Sequence, residues 1–554
     1  MKNVVKEVMD QSVRQFVTHK GIDLPANFDY DIVLTKDRTH GDFAANVAFK
    51  LAKLAGERPA LVADELVKII ANESPGAKSG IIRKVEVAGA GFINFYLSQS
   101  SLAGVLLEVH QKDRYYGESD FGKGKNVLIE YVSANPTGPL TIAHGRQAAV
   151  GDCLVRILKA TGHAVQAEYY LNDAGRQMNL LGASLYARYA QELKQEMLLP
   201  EDGYQGDYLI ELAQKLIAEK GESLLSMDRP KALDFCRHYA GDEIMKGIRE
   251  DLKAVDVHFD HYFNESSLYE KGDVDKVLNE LKDRGFVYEQ EGALWFRSTN
   301  FGDDKDRVVK KTSGEYTYLA PDIAYHKQKF ERGFNSLVNL WGPDHHGYIA
   351  RLKAACQAFG HDSKQINVLI VQLSTLYRQG QPVRMSTRAG EFVTLRQLVD
   401  ETGADAARFF FLMRKVESHL DFDLDLAKEK SQENPVYYLQ YAHARISSLI
   451  RFAGKAVSPK ADLNLLASPE ENDLVKLILE FPKALVQASE ALEPFRLADY
   501  LRDLAAGFHK FYAAHRVVSE DENLTAARLL LVDAVRIVLR NGLQHLGISQ
   551  PESM

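Results

Sequence analysis

Residues 130–152 join an apolar strand, a turn rich in Pro and Gly, and the start of a helix at His144. Free N–H groups and the positive dipole end of a helix favour an anion at such a junction, so we expect a phosphate site there. A further apolar run at residues 164–171 completes a strand–helix–strand unit within about 45 residues, which is typical of a parallel sheet. The sequence therefore predicts an α/β domain built around this junction.

The rest of the chain divides into regions with different hydrophobic patterns. Residues 1–110 alternate helical and strand-like stretches, which predicts a small α+β domain. Residues 111–425 contain the sheet, and its later strands are so distant that we expect an insertion at about 185–315. Residues 426–554 show helical periodicity alone, which predicts a helical bundle. The predicted helices include 5–18, 43–54, 61–70, 144–160, 437–452, 474–493, 497–516 and 524–547, and the predicted strands are 81–87, 92–97, 127–132, 164–171, 336–341 and 366–373.

Composition limits the class of protein. The chain has 554 residues, 45% of them hydrophobic, which is enough for three or four domains with large cores. The three cysteines are far apart and form no Cys-x-x-Cys pair, which argues against a zinc ribbon and a disulfide framework. We see neither a signal peptide nor a run long enough to span a bilayer. The cysteine pattern fits a reducing cytoplasm, and the net charge of -8 gives no sign of nucleic-acid binding, so we expect a cytoplasmic protein without membrane or DNA partners.

Two segments suggest nucleotide chemistry. His144 follows a strand and a Gly-containing turn, and it could donate a hydrogen bond to a phosphate oxygen. Residues 380–390 form a basic, Gly-flanked segment with hydroxyls, suited to closing on a polyphosphate. Alone, the histidine would more often be a helix cap or core residue, and the second segment an ordinary solvated loop. Their occurrence in one chain favours the functional interpretation.

These segments resemble the two signatures of class I aminoacyl-tRNA synthetases, written HIGH and KMSKS. They stand here as Thr-Ile-Ala-His at 141–144 and Arg-Met-Ser-Thr-Arg at 384–388. Other stretches narrow the resemblance to the arginyl-tRNA synthetase family, and together they cover nearly the whole chain. They include Ser-Ala-Asn-Pro-Thr-Gly-Pro at 133–139, Tyr-Leu-Ala-Pro-Asp-Ile-Ala-Tyr-His at 318–326, Trp-Gly-Pro-Asp-His-His-Gly at 341–347 and Gln-Tyr-Ala-His-Ala-Arg-Ile at 440–446.

The resemblance implies a multidomain α/β fold, with a Rossmann-type parallel-sheet catalytic domain, an N-terminal tRNA-binding domain and a C-terminal helical anticodon-binding domain. It also implies an arginine–tRNA ligase that uses ATP and Mg²⁺, acts on L-arginine and tRNA(Arg), and is a monomer. His144 would stabilise the α-phosphate, and Arg384 with Arg388 would clamp the leaving pyrophosphate. The residues implied at the catalytic and ATP sites are Ala134, Pro136, Thr137, Gly138, Thr141, Ala143, His144, Arg384, Met385, Ser386 and Arg388.

Both signatures depart from the usual pattern. Thr141 stands for the first histidine and keeps a hydroxyl, whereas Ala143 replaces a glycine and its methyl group would narrow the adenine site. We therefore expect weakened or rearranged ATP binding. Thr387 lacks the charge of the second lysine, and Arg388 or the nearby Lys310 and Lys311 are hypothesised to compensate.

Arginine selection requires a carboxylate, because a guanidinium is best recognised by paired charge-assisted hydrogen bonds. Tyr318 and Asp322 are four residues apart, so a helix would place both on one face. Asp344 follows a predicted strand and is a second candidate. Without the family pattern, Asp322 would be interpreted as an ordinary surface carboxylate. The resemblance implies that Asn135 holds the α-amino group of arginine.

A metal site is not expected. His345 and His346 are adjacent, so on an extended segment their side chains would point in opposite directions, and no Cys or Glu stands at a ligand spacing. Two other functions remain open. A synthetase-like tRNA-binding or regulatory protein with reduced or lost adenylation would explain the departures. A small-metabolite adenylyltransferase is less consistent with the long helical C-terminal region.

Overall fold

The computed structural model describes residues 2–35, 38–73, 81–383 and 393–554. Its N-terminal region is a four-stranded sheet covered by helices, in the order β1-β2-β4-β3. Residues 43–54 were predicted as one helix but begin with strand β2. The side chains of Phe43 and Ala45 are both buried on one face of the sheet, and the strand pairs with β4. The elements are α1 (Lys2–Lys20), β1 (Ile32–Leu34), β2 (Phe43–Ala45), α2 (Val47–Ala55), α3 (Pro59–Glu73), β3 (Ile82–Ala88), β4 (Phe92–Leu97), α4 (Gln99–Ala103) and α5 (Val105–Lys112).

The central region contains a five-stranded parallel sheet in the order β12-β11-β5-β6-β7. Its middle strands are buried on both faces, which explains their continuous apolar sequences. Between residues 126 and 341 the elements, in chain order, are β5 (Asn126–Glu130), α6 (Ile142–Ala160), β6 (Ala164–Leu171), α7 (Arg176–Glu192), α8 (Tyr208–Lys220), α9 (Arg229–Ala254), β7 (His261–Asn264), α10 (Ser266–Glu270), α11 (Asp273–Asp283), β8 (Val287–Gln290), β9 (Ala293–Phe296), β10 (Arg307–Lys310), α12 (Leu319–Glu331) and β11 (Ser336–Trp341).

The insertion expected at about 185–315 is divided in two. Strand β7 lies inside that range and returns the chain to the edge of the central sheet. Three helices precede β7, and a three-stranded antiparallel sheet of β8, β9 and β10 follows it. The remaining elements of the central region are α13 (Ile349–Ala358), β12 (Ile366–Ile370), β13 (Ser374–Arg378), β14 (Gln381–Pro382), α14 (Leu395–Thr402), α15 (Ala404–Leu412), β15 (Leu420–Asp423) and α16 (Leu424–Lys428).

The C-terminal region is a bundle of four long helices whose ends carry recognisable caps. Asn434 accepts backbone N–H groups at the start of the first helix, and Ser468 and Glu471 form a capping box at the second. The bundle's helices are α17 (Pro435–Ala453), α18 (Pro469–Ala491), α19 (Phe495–Ala514) and α20 (Glu522–Leu546).

The three regions share one apolar core. A single cluster of buried side chains continues from α1 through the central sheet to α20. Within the described ranges, no helix is both long and apolar enough to cross a membrane. The predicted fold class is therefore confirmed: a parallel-sheet domain between a small α+β region and a helical bundle.

Candidate active site

A cleft of about 880 Å³ opens at the carboxyl edge of the central sheet. It lies between the ends of β5 and β11, where the chain order of the strands reverses, the usual position of ligand sites in such sheets. The last residue of β5 and the start of α6 form one wall, and α12 with the segment after β11 forms another. The residues lining these walls include Glu130, Ser133, Ala134, Asn135, Ala143, His144, Gln147, Tyr318, Asp322, Tyr325, His326, Trp341, Asp344, Tyr348 and Arg351.

His144 lines the cleft in the first turn of α6. The Thr141 amide N–H donates to its Nδ1 at 3.1 Å, and the Thr141 hydroxyl lies at the same distance. Burial lowers the pKa of His144 to about 4, so the imidazole is neutral at pH 7. Because Nδ1 accepts from an amide, the ring proton is assigned to Nε2, which is then the available donor.

Thr141 is the N-cap of α6, and its hydroxyl lies against the His144 imidazole. Its predicted contact with ATP stays a prediction. Of the described residues in this signature, Ala143 and His144 line the cleft. The expectation that the Ala143 methyl group narrows the nucleotide site stays a prediction.

The turn between β5 and α6 is strained. Val132 and Ser133 both have positive φ angles, 65° and 39°, which are costly for residues with a Cβ and uncommon outside functional sites. Ala134 and Asn135 follow them into the cleft wall. The Thr137 carbonyl accepts from the Tyr208 hydroxyl at 2.5 Å, so helix α8 covers the outer part of this turn.

Three predicted ATP-site residues of that turn are not among the described residues that line the cleft, and their contact with ATP stays a prediction. Pro136 is buried, and Thr137 and Gly138 lie beside the Tyr208 ring. Among the described residues that line the cleft, the turn contributes Ala134 and Asn135 rather than these three. The cover supplied by Tyr208 depends on a helix more than sixty residues away in sequence, which the local motif could not indicate.

Asp322 lies in the first turn of α12, inside the cleft. The Tyr348 hydroxyl donates to its Oδ2 at 2.7 Å. Burial, with smaller contributions from the nearby Glu130 and Glu265 carboxylates, raises the pKa of Asp322 to about 7. Tyr318 caps the same helix and is 74% exposed. Several carboxyl groups facing one buried site create a field suited to a cationic ligand.

Asn135 and Asp344 occupy the rim of the same cleft. The Asn135 amide donates to Gln177 Oε1 at 2.7 Å, so α7 fixes its orientation. Asp344 follows β11 with its side chain 78% exposed, and His345 Nε2 lies 3.3 Å from its carboxylate. The structure therefore brings the four expected arginine-binding residues, Asn135, Tyr318, Asp322 and Asp344, to one cleft.

Several cleft residues escaped the sequence analysis. Glu130 ends β5 and accepts from the fully buried Lys329 at 2.5 Å, and Lys329 also donates to Asn339 at 3.0 Å. Lys329 is seven residues after Asp322 and so lies two turns along the same face of α12. A carboxylate at the end of an apolar strand was a signal for Glu130. Tyr348 carried none, because its contact with Asp322 depends on tertiary packing.

The second signature lies outside the described residues. This applies to Arg384, Met385, Ser386, Thr387 and Arg388. The proposed substitutes for its missing charge are placed in the insertion: Lys310 lies 3.9 Å from Asp275, and Lys311 lies 3.1 Å from Glu315. Neither lysine is among the described residues that line the cleft, and the neighbouring Arg307, which lines it, is itself paired with Asp303 at 2.8 Å. Compensation by Lys310 or Lys311 stays a prediction.

Comparisons with known proteins agree with this architecture. Three family models match: "Arginyl tRNA synthetase N terminal domain" over residues 3–97, "tRNA synthetases class I (R), catalytic domain" over 106–420, and "DALR anticodon binding domain" over 439–554. An arginine–tRNA ligase of Desulfosudis oleivorans is 48% identical, with 99% of this chain and 100% of the relative covered. That of Bacillus subtilis is 45% identical, with 99% of each covered.

A solved structure matches the fold across its length. Thermus thermophilus arginyl-tRNA synthetase superposes with a TM-score of 0.75 at 22% identity, covering 98% of this chain and 99% of that one. Matches over all three regions do not favour a regulatory protein derived from the scaffold. The predicted resemblance is confirmed: the chain belongs to the arginyl-tRNA synthetase family, with a class I catalytic domain.

Proposed function

We propose that this protein attaches L-arginine to tRNA(Arg) in two steps, through an arginyl-adenylate. The first step consumes ATP and releases pyrophosphate, and the second releases AMP. One observation carries the proposal: a buried carboxylate, Asp322, and a neutral imidazole donor, His144, face the same cleft. The first suits a guanidinium and the second suits a phosphate.

Arginine would enter with its guanidinium towards Asp322. Tyr348 orients the Asp322 carboxylate through its hydroxyl, and Glu130 adds negative charge while remaining paired with Lys329. Binding of the cation offsets the burial that favours the protonated acid, so Asp322 ionises as arginine binds. Asn135, held by Gln177 at the rim, would receive the α-amino group, and Tyr318 would close over the side chain.

Adenylate formation needs positioning more than proton transfer. The arginine carboxylate is already ionised, so its oxygen can attack the α-phosphorus while the bond to pyrophosphate breaks. Nε2–H of His144 would donate to an α-phosphate oxygen as charge develops there. A neutral donor suits this task because its proton remains on the ring. Such a contact contributes about 10²–10³ in rate.

The pyrophosphate end depends on Mg²⁺ and the second signature. Mg²⁺ usually binds phosphate oxygens and water with one or two carboxylates. In the described part of the chain, no group of three or more His, Cys, Asp or Glu could hold a metal by itself. Mg²⁺ would therefore enter with ATP, and Asp344 at the rim could supply one oxygen. Arg384, Ser386 and Arg388 keep their proposed roles on the basis of sequence.

The other regions would bind the tRNA. The family matches support a contact of residues 3–97 and of the helical bundle with tRNA(Arg). We further propose a monomer in the cytoplasm, since one chain contains both the cleft and both flanking regions. Light scattering of the purified protein would give the mass of one chain, and a dimer mass would contradict this.

The test is arginine-dependent charging of tRNA(Arg) with ATP and Mg²⁺, together with ATP–pyrophosphate exchange in the presence of tRNA. We expect His144→Ala to lower the rate of adenylate formation by about 10²–10³ with little change in the arginine KM. Asp322→Asn should mainly raise the arginine KM. The loss of a buried charge partner typically costs about 2–5 kcal/mol of binding free energy.

The exposed Asp344 provides a matched carboxylate. Asp344→Asn should raise the arginine KM much less than Asp322→Asn, because its side chain is 78% exposed. If wild-type protein with cognate tRNA forms no arginyl-tRNA, the proposed function falls. Equal effects of the His144 and Asp322 variants on KM alone would contradict the assigned roles.

A further inference from the structure

Arg146 is a fully buried cation two residues after His144 in helix α6. Its Nη1 donates to the carbonyls of Gln372 at 2.8 Å and Ser418 at 2.9 Å, and its Nη2 donates to the carbonyl of Lys415 at 2.9 Å. Its Nε is buried without a hydrogen-bond partner among the described residues. Within the same ranges no carboxylate forms an ion pair with it.

Such an arrangement costs stability. Burial lowers the pKa of Arg146 to about 10, and no acidic neighbour in the described part of the chain offsets it. Burying a charge against neutral acceptors is expensive, and an apolar side chain of similar size would commonly be as stable or more so. The benefit of Arg146 must therefore come from the geometry that its three contacts impose.

One of the three carbonyls belongs to a residue beside the cleft lining, and the other two belong to residues 415 and 418, which the described lining does not include. Gln372 stands between Val371 and Leu373, which both line the cleft. The backbone N–H of Gln372 in turn donates to the Val416 carbonyl at 2.9 Å. Val416 lies in the same segment as Lys415 and Ser418, which supply the other two carbonyls. Strands β13 and β15 continue from these segments as a parallel pair. The Arg146 guanidinium thus joins helix α6, which carries His144, to the residues just before strands β13 and β15.

A second set of contacts fixes the same helix end to residues 393–395. The Leu395 amide donates to the Leu140 carbonyl at 2.8 Å, and Thr141 pairs with Thr394 in an isolated bridge. Gly145 permits this approach, since a Cβ there would come within 2.7 Å of the Leu395 side chain. The start of α6 is therefore fixed by two sets of contacts, one with residues 394–395 and one, through Arg146, with Gln372 beside the cleft.

We propose that Arg146 is a positioning residue for adenylate formation, which sets the distance between His144 and the Val371–Leu373 wall. This rests on the proposed function, because it assumes that ATP lies between these two walls. Arg146 touches neither substrate. It acts through the placement of Gln372 and of the helix turn that carries the imidazole.

The test compares Arg146→Met and Arg146→Lys with a control on the same helix. Methionine keeps the volume without donors, and lysine keeps the charge with fewer directed donors. Arg156→Met is the control: its guanidinium also bonds the backbone carbonyls of Asp256 and Gln544, in addition to its ion pairs with Asp152 and Asp256, and Arg156 is not among the described residues that line the cleft. Circular dichroism at the assay temperature ensures that only folded variants are compared.

We expect Arg146→Met to raise the ATP KM about tenfold and to slow single-turnover adenylate formation by about 10²-fold, the cost of a small misplacement of reacting groups. Arg146→Lys should recover part of both. The arginine Kd, measured by calorimetry, should stay within about twofold of wild type, because Asp322 and Tyr348 lie on another wall. Arg156→Met should change neither kinetic constant.

If folded Arg146→Met has the same ATP KM and adenylation rate as the wild-type protein, the inference is overturned. The proposed function would still be supported if the wild-type protein charges tRNA. Equal losses of arginine affinity and adenylation rate would also overturn it, since they indicate general structural damage. If Arg146→Met does not fold, Arg146→Lys decides, because an unchanged ATP KM and rate in that variant overturn the inference equally. Failure of wild type to charge tRNA is the separate outcome that removes the proposed function.

Discussion

Burial shifts the pKa values of two cleft residues in opposite directions. It raises that of Asp322 to about 7 and lowers that of His144 to about 4. Between these values both side chains are neutral in the empty cleft. Neutral groups reduce the cost of burying these two side chains without their ligands. Charge then enters the site with the substrates, and the protein's own groups respond to it.

Arginine affinity should consequently depend on pH through Asp322. The guanidinium requires the carboxylate, so binding lowers the pKa of Asp322 and releases a proton near pH 6. Below pH 7 the arginine Kd should rise by about tenfold per pH unit, and above about pH 8 it should be constant. Calorimetry in buffers of different ionisation enthalpy measures both the affinity and the released proton.

Asp322→Asn is the control for this pH dependence. Its weakened arginine binding should be independent of pH between about 5.5 and 8. The folded-state pKa of Asp322 exceeds its unfolded value, so ionisation destabilises the empty protein progressively as pH rises through 7. The asparagine variant should therefore unfold at a higher temperature than wild type at pH 8. A pH-independent Kd in wild type would contradict the assignment.

Helix α6 connects the cleft to the rest of the molecule through its second half. Asp152 is almost completely buried and accepts from Arg408 Nη2 at 2.5 Å and from Arg156 Nε at 2.7 Å. Arg408 is itself buried and also donates to the carbonyls of Val255 and Leu546. One ion cluster therefore joins α6, α15, the end of α9 and the last helix of the bundle.

Asp152→Asn should destabilise this junction strongly. Removing the carboxylate leaves the buried Arg408 charge without a counter-ion, a loss that typically costs about 3–5 kcal/mol. Asp256→Asn is the matched control, since its side chain is 60% exposed and its partners are Arg156 and the exposed His258, so we expect about 1 kcal/mol or less. Urea unfolding followed by fluorescence compares the two midpoints. Equal midpoints would show that Asp152 does not hold the junction.

Among the helices and strands, the sequence predicted those that show a clear hydrophobic period or belong to a local motif. Strand β11 was expected at residues 336–341, where the structure has it, because its apolar run is continuous. Strand β7 was missed: its four residues include His and Asn, too few and too polar to show a period. The candidate site divides in the same way. His144 and Asp322 belong to motifs, whereas the contacts of Arg146 and Tyr348 join residues far apart in sequence.

Across the whole molecule, the helical bundle contacts both other regions. Gln99 Nε2 at the end of the N-terminal region donates to Asn472 Oδ1 at 2.7 Å. On the other side, the chain after α20 returns to the catalytic region at Asp405, the second residue of α15. Gly547 permits this return: its φ is 70°, and a Cβ there would lie 2.0 Å from the Arg408 guanidinium.

Asp405 should govern how firmly this last segment is held. Its carboxylate accepts from the Ser549 amide at 2.9 Å and from Gln440 Nε2 at 2.8 Å, so it links α15 to both the segment and α17. Asp405→Ala should speed hydrogen exchange at the Ser549 amide and reduce tRNA charging, while arginine binding stays unchanged because the cleft is elsewhere. Glu552→Ala is the control. It removes an exposed ion pair in which Glu552 Oε2 lies 3.5 Å from Arg451 Nη1, and it should change neither the hydrogen exchange at Ser549 nor tRNA charging. Unchanged exchange at Ser549 in Asp405→Ala would show that the segment is held by its other contacts, including that of Pro551 with His443 at 2.9 Å.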